Sequence, residues 1–367
     1  DNSMDWPSPA LQALVSGAWN ATSAWRMESL VKLIAATPSF NKSSSLSVLD
    51  YCSTAKQEME AAFVAVRFAR INRGNQALLN GQGVAFVSET MATDTNANLA
   101  FPKINGTTYA QLAGATDQLG FRGMTWAGAA VLASQVAATT APTINLSDWT
   151  PIKPVPRAAG EPSTRPVLGW RWEHLGAANG NWTFAPISAN PRTPLASMRG
   201  RTFVLSKYAA GGAIADLSTA KTFSLDTIYQ DVYPIVRFAV PVFSVWGVGD
   251  SITACTGITA DGMAAWGHKA CADLSTPLRP VIWSNLGVAS MASSDFWVNA
   301  KALLAAGAPP PSMLVLNVGS QLTSQSFAAA IDFNGDLLDD NYNSNNAIKW
   351  QRYGLIVQKC IMPSILK

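Results

Sequence analysis

The chain has 367 residues, enough for two domains of ordinary size, each with its own core. Only 13% of the residues are charged, against roughly 25% in a typical soluble domain, so neutral hydroxyls and amides must solvate the surface, as in many secreted, virion and filament proteins. The formal charge of +3 is small for this length, no Lys/Arg cluster could track a phosphate backbone, and no apolar run reaches the ~18 residues of a membrane-spanning helix, so neither nucleic acid nor a bilayer-crossing helix is expected.

The first residues, DNSMDWPSPA, lack the charged and apolar regions of a signal peptide, so an exported form would have lost its signal or used another route. SPALQALVSGAW and SAWRMESLVKLIAATP follow with apolar residues at helical spacing, which makes residues 1–58 a helical segment in this reading. From about residue 60 the texture becomes strand-like. AAFVAVRFARI, GVAFVSETMA, FRGMTWAG, VLGWRWEHLG, NWTFAPIS and TFVLSKYA are short, β-branched or aromatic, and separated by Gly, Asn, Pro and Thr. They predict an all-β sandwich of jelly-roll type over residues 59–234, with the Pro-rich stretch 150–166 as a long internal loop.

Near residue 235 the pattern changes again. IVRFAVPVFSVWG, PVIWSNLG and SMLVLNVG read as apolar strands alternating with the helical stretches DGMAAWGHKACADL and SSDFWVNAKALLAAG. That alternation predicts an α/β domain over residues 235–367, a parallel sheet with flanking helices. Ligands bind such sheets at the carboxyl ends of the strands, where the loops VGDSIT, NLGVAS and VGSQLT would meet.

Ser251 follows Gly249 and Asp250 at the first of these strand ends. A serine so placed can be held with its hydroxyl over the sheet edge, beside the N–H groups of the next helix. Asp250 and Ser251 are also both good helix caps, so capping is the alternative reading. The succession VWGVGDSIT, NLGVAS and VGSQLT resembles the SGNH (GDSL-type) ester hydrolases, of the kind that a β-sandwich precedes in bacterial and phage-associated proteins. The resemblance covers about residues 235–325 and implies Ser251 as nucleophile, Gly287 as second oxyanion donor and Gln321 in place of the family's asparagine. Its C-terminal Asp-x-x-His block has no counterpart: no histidine follows Leu322, which implies a C-terminally shortened domain or one that has lost catalysis.

The chain has two histidines. His268, in the helical stretch after Ser251, reads as a packing or surface residue. His174 shares one strand face with Trp170 and Trp172, which would make either a glycan-stacking platform or sandwich core. Cysteines 52, 255, 271 and 360 lack metal or redox spacing, with Cys255 and Cys271 the candidate disulfide pair and free buried thiols the alternative. Asp332, Asn334 and Asp336 match the start of a calcium loop, but Leu337 stands where its glycine belongs, so no cofactor or metal is expected. The five Asn-x-Ser/Thr sequons carry little information in so Asn- and Ser-rich a chain.

Two functions follow. One is a serine ester hydrolase, extracellular or virion-associated, acting on an acylated polysaccharide or glycan. The other is a non-catalytic structural or receptor-binding subunit of a tail, virion or filament, with a homo-oligomeric or assembly interface. A carbohydrate-binding role for Trp170, Trp172 and His174 is a third expectation.

Overall fold

The computed structural model describes residues 24–31, 51–72, 81–88, 103–104, 107–108, 122–129, 143–152, 165–174, 185–186, 203–208, 224–225, 228–229, 232–249, 253, 266–287 and 296–317. The strands, in chain order, are β1 (Arg26–Leu30), β2 (Tyr51–Glu58), β3 (Phe63–Asn72), β4 (Gly81–Ser88), β5 (Lys103–Ile104), β6 (Thr107–Thr108), β7 (Arg122–Gly123), β8 (Thr143–Leu146), β9 (Thr150–Pro151), β10 (Val167–His174), β11 (Ala185–Pro186), β12 (Phe203–Tyr208), β13 (Ser224–Leu225), β14 (Ile228–Tyr229), β15 (Val232–Gly249), β16 (Val281–Asn285) and β17 (Met313–Asn317). Helix α1 (Trp266–Leu274) lies between β15 and β16, and α2 (Phe296–Ala305) between β16 and β17.

Two sheets contain most of these strands. One is six-stranded and antiparallel, in the order β13-β12-β2-β10-β4-β7. The other is seven-stranded and built on β15, an 18-residue strand rich in Val, Ile, Phe and Trp. Its apolar residues do not alternate with polar ones because both faces are covered, at Val232–Val236 and again at Val242–Gly249. The sheets meet where Phe68 of β3 packs on Trp170 of β10, ring centroids 5.9 Å apart. Phe63, Phe68, Phe238 and Trp246 are fully buried, each contributing roughly 1.5–3 kcal/mol through the apolar surface it removes from water.

β15 changes neighbours halfway along. Over Val232–Phe238 it runs antiparallel to β1 on one side and β3 on the other. Over Phe243–Gly249 it runs parallel to β16 and β17. Between the halves, β1 passes from pairing with Arg237 to pairing with Val242 in two of its own residues, so β15 bulges there and Ala239, Val240 and Pro241 are exposed. Proline, which has no N–H to donate, fits a point where one hydrogen-bond ladder stops and another begins.

Four buried serines tie the halves together. Ser29 and Ser244 share a hydroxyl–hydroxyl bond of 2.8 Å, and the Ser29 hydroxyl also donates to the Leu30 carbonyl. The Ser284 hydroxyl donates to the same carbonyl, while Ser312 Oγ accepts from the Ser244 N–H at 3.0 Å. On another flank, Arg67 donates to the Gly307 carbonyl at 2.6 Å, just past the end of α2. Gly307, at φ 91°, adopts the left-handed conformation common after a helix.

The expected fold class is corrected in three respects. An α/β domain with a parallel sheet and flanking helices does not follow a sandwich. The described residues are dominated by antiparallel strands, and parallel pairing is confined to half of β15 with β16 and β17. The strand that opens the parallel portion is itself central to the antiparallel sheet, and position 234/235 falls inside it. Within the expected helical segment 1–58, residues 26–30 form β1 and residues 51–58 form β2, because strand pairing outweighs a local pattern of only a few residues. The strand expectations at β3, β4, β10, β12, β16 and β17 and the helices α1 and α2 are present where the sequence places them.

Candidate functional site

The register of the parallel strands defines one rim. Gly247 of β15 pairs with Asn285, the last residue of β16. Gly249 pairs with Asn317, the last residue of β17. All three strands run the same way in the order β16-β15-β17, so their carboxyl ends leave the sheet together. Asp250 and Ser251 follow directly on Gly249, and Gln321 lies four residues after Asn317; all three are outside the described residues. Thr253, two residues beyond Ser251, is fully buried.

Gly287 is described, and its amide is engaged. Its N–H donates to Asn285 Oδ1 at 3.0 Å in a buried turn, a side chain bonding to the backbone two residues on. Leu286 N–H bonds to the Gly247 carbonyl at 2.7 Å, which clamps the same turn onto β15. The amide that the resemblance implies as second oxyanion donor is thus bonded within its own turn, and Ser251, which would define the oxyanion position, lies outside the described residues. Asn-Leu-Gly at 285–287 was the available signal, a side-chain acceptor two residues before a glycine.

Beneath the rim, the Trp283 indole lies between β15 and α1. A Cβ at Gly247 or at Gly267 would overlap the ring, so both glycines are needed for it to fit. Phe243, Val245, Cys271 and Val281 complete this small core. Cys271 is a free, buried thiol; burial, with the Glu60 charge added, pushes its pKa up to about 12.

His268 is no base for the rim. Its side chain is only 4% exposed, and neither ring nitrogen has a hydrogen bond. Its Nε2 is 3.8 Å from Oε1 of Glu60, just after β2, and Glu60 is itself paired with Arg165. Burial, and secondarily the Arg165 charge, pushes the imidazole pKa down to about 4. A base that weak, sealed from solvent, cannot deprotonate a serine at neutral pH.

The expected glycan platform is also changed. Trp170 is buried at 6% exposure against Phe68, in the interior between the sheets. Trp172 pairs with Ser53 and Gly83, and His174 with Tyr51 and Gly81; their side chains lie outside the described set. The calcium-like loop at Asp332, Asn334 and Asp336 lies outside the described residues, as do Cys255 and Cys360. Among the described residues no group of His, Cys, Asp or Glu is placed to hold a metal, and no helix is long and apolar enough to cross a membrane.

Several buried or paired charged groups had no sequence signal. Arg70 of β3 is 1% exposed, and burial pushes its pKa down to about 9. Glu60 and Arg165, 105 residues apart, meet only in the folded chain. A scan against protein-family models and a search of curated proteins each find no match to this chain.

Proposed function

We propose that the rim at the carboxyl ends of β15, β16 and β17 is the site of a serine ester hydrolase, extracellular or virion-associated, that acts on an acylated carbohydrate. What supports this reading is the register that brings Gly249, Asn285 and Asn317 to one end of the sheet, with Ser251 two residues beyond the central strand. In the reaction, Ser251 Oγ bonds to the ester carbonyl carbon, the alcohol departs carrying the proton, and water then releases the acid from the acyl-enzyme. Purified protein should turn over simple acetyl esters and be labelled at Ser251 by a fluorophosphonate. Absence of turnover, or turnover unchanged by Ser251→Ala, refutes the proposal.

A second reading is favoured by the engaged Gly287 amide, the sealed His268 and the exposed hairpin after α1. There Thr276 and Arg279 bridge to each other while Leu278 is 91% exposed. In this reading the chain is a non-catalytic structural or receptor-binding subunit of a tail, virion or filament, and the hairpin is a contact point. Sedimentation should show a concentration-dependent oligomer that Leu278→Asp weakens, with no labelling of Ser251. A monomer at all concentrations that binds no receptor, or labelled Ser251, sinks it.

A further inference from the structure

Arg67 of β3 and Arg237 of β15 lie on one face of the seven-stranded sheet. Ala65 is opposite Arg237, and Arg67, two residues along β3, points to the same side. Both guanidinium groups stand over the indole of Trp149, which lies between β8 and β9: the central carbon of Arg67 is 4.8 Å from the ring centroid and that of Arg237 4.3 Å. The sum of these distances, about 9 Å, is the most that can separate the two carbons. Like charges held this close repel, and stacking on the ring offsets part of that repulsion.

Among the described residues, carboxylates do not match the two cations. Glu28 of β1 accepts from Nε and Nη2 of Arg237 at 3.0 and 2.7 Å, both through Oε1. Arg67 has no carboxylate within ion-pair distance among the described residues; its Nη2 donates to the Gly307 carbonyl, and Glu28 and Arg237 act on its charge through space. Asp148, next to Trp149, is engaged by the turn at 125–128. Two cations and one anion leave the cluster with excess positive charge. Arg67 Nε is covered and without a partner, so its Nη1 is the side of the fork open to a ligand. Arg237, 42% exposed, likewise has Nη1 bonded to none of the described residues.

We propose that Arg67 and Arg237 form a binding site for an oxyanion, the carboxylate or phosphate group of an anionic ligand, with the two Nη1 groups as donors. Guanidinium forks match both groups in shape and charge. One oxyanion accepting a bond of about 2.9 Å from each fork can bridge the separation that Trp149 allows. The ring holds both side chains in place before the ligand arrives, so little side-chain freedom is lost on binding. The ligand supplies the negative charge that the cluster lacks, and Glu28 limits the affinity by repelling it. The site is on the antiparallel half of β15, away from the rim, and depends on neither functional reading given above.

Nitrogen NMR of the Arg67 and Arg237 side chains tests this, with the full chain titrated by trigalacturonate, by inorganic phosphate and by neutral maltotriose. At least one of the two anions should shift both side chains with an affinity that falls as salt is raised, and maltotriose should shift neither. The tighter of the two anions identifies the ligand as a carboxylate or a phosphate. Arg67→Met and Arg237→Met should each weaken binding about tenfold. Glu28→Gln, which removes the competing charge, should tighten it several-fold. Lys269→Met, which removes an exposed cation on α1, should leave it unchanged. Absence of a shift with either anion overturns the proposal, and so does Glu28→Gln binding that is unchanged or weaker. An equal loss in Lys269→Met would mark general attraction to a basic chain and also refute it. Should the arginine variants fail to fold, the shifts in the unaltered chain and the Glu28→Gln affinity decide.

Discussion

The indole of Trp283 lies against the bare Cα atoms of both Gly247 in β15 and Gly267 in α1. Glycine costs a helix about 1 kcal/mol relative to alanine and weakens a strand. Here both costs are met because no side chain fits beside the ring. Gly247→Ala should destabilise the protein by about 3 kcal/mol through overpacking against a rigid neighbour. Trp283→Leu in the same chain should recover part of the loss. Urea unfolding of the two single variants and the double variant checks this, and strictly additive effects would show that the ring is not the obstacle.

The stability of the protein should fall in mild acid because of His268. Its folded-state pKa of about 4 lies below the ordinary 6.5, so the folded protein favours the neutral imidazole. The stability this represents is complete above pH 6.5 and is lost as the pH falls from there through about 4. At 1.36 kcal/mol per pH unit it amounts to roughly 3 kcal/mol. His268→Leu, which removes the titrating imidazole, should flatten the melting temperature over that interval. A slope equal to that of the unaltered chain would assign the acid sensitivity to other groups.

Ser312 carries a different kind of liability. Its hydroxyl is the acceptor for the Ser244 N–H at the point where β15 becomes a parallel strand. Ser312→Ala should leave that buried donor without a partner, at a cost of about 1–3 kcal/mol. Ser312→Thr, which keeps the oxygen, should cost less. Chemical denaturation of both variants distinguishes loss of the bond from loss of packing.

Asp148 organises the loop after β7. Its carboxylate accepts from the Gly128 N–H at 2.8 Å, the Thr125 hydroxyl at 2.7 Å and the Ala127 N–H at 3.1 Å. The Gly128 bond, then those of Thr125 and Ala127, hold its pKa below the usual carboxyl value. The resulting stability is present above the unfolded carboxyl pKa and is lost as the pH falls through the folded value. Asp148→Asn should lower the melting temperature at pH 7 and shrink its decline in acid. An acid limb as steep as that of the unaltered chain would rule this contribution out.

What was legible in the sequence was local. IVRFAVPVFSVWG, PVIWSNLG and SMLVLNVG are apolar enough to be strands in any setting, and the intervening stretches have the length and punctuation of helices. The partners were not legible. Nothing in VYPIVRFAV states that β1 and β3 flank it, because antiparallel and parallel central strands look alike once both faces are covered. The same limit hid the site chemistry. Trp170 read as core more readily than as a stacking surface, and Phe68 against it makes it core, whereas His268 is a sealed neutral group only through its burial in the folded chain. At the rim, strand order depends on hydrogen-bond pairing, whereas Ser251 stood out by its Gly-Asp-Ser setting at a strand end.

The dual use of β15 bears on how the protein is made. The Ser29 and Ser244 hydroxyls that meet in its ladder are 215 positions apart, and β17, which completes its parallel half, ends at Asn317. During synthesis, β1 and β3 are exposed long before the strand that covers them exists. Their pairing groups that face β15 stay unpaired until it is made, and contacts of such separation form slowly.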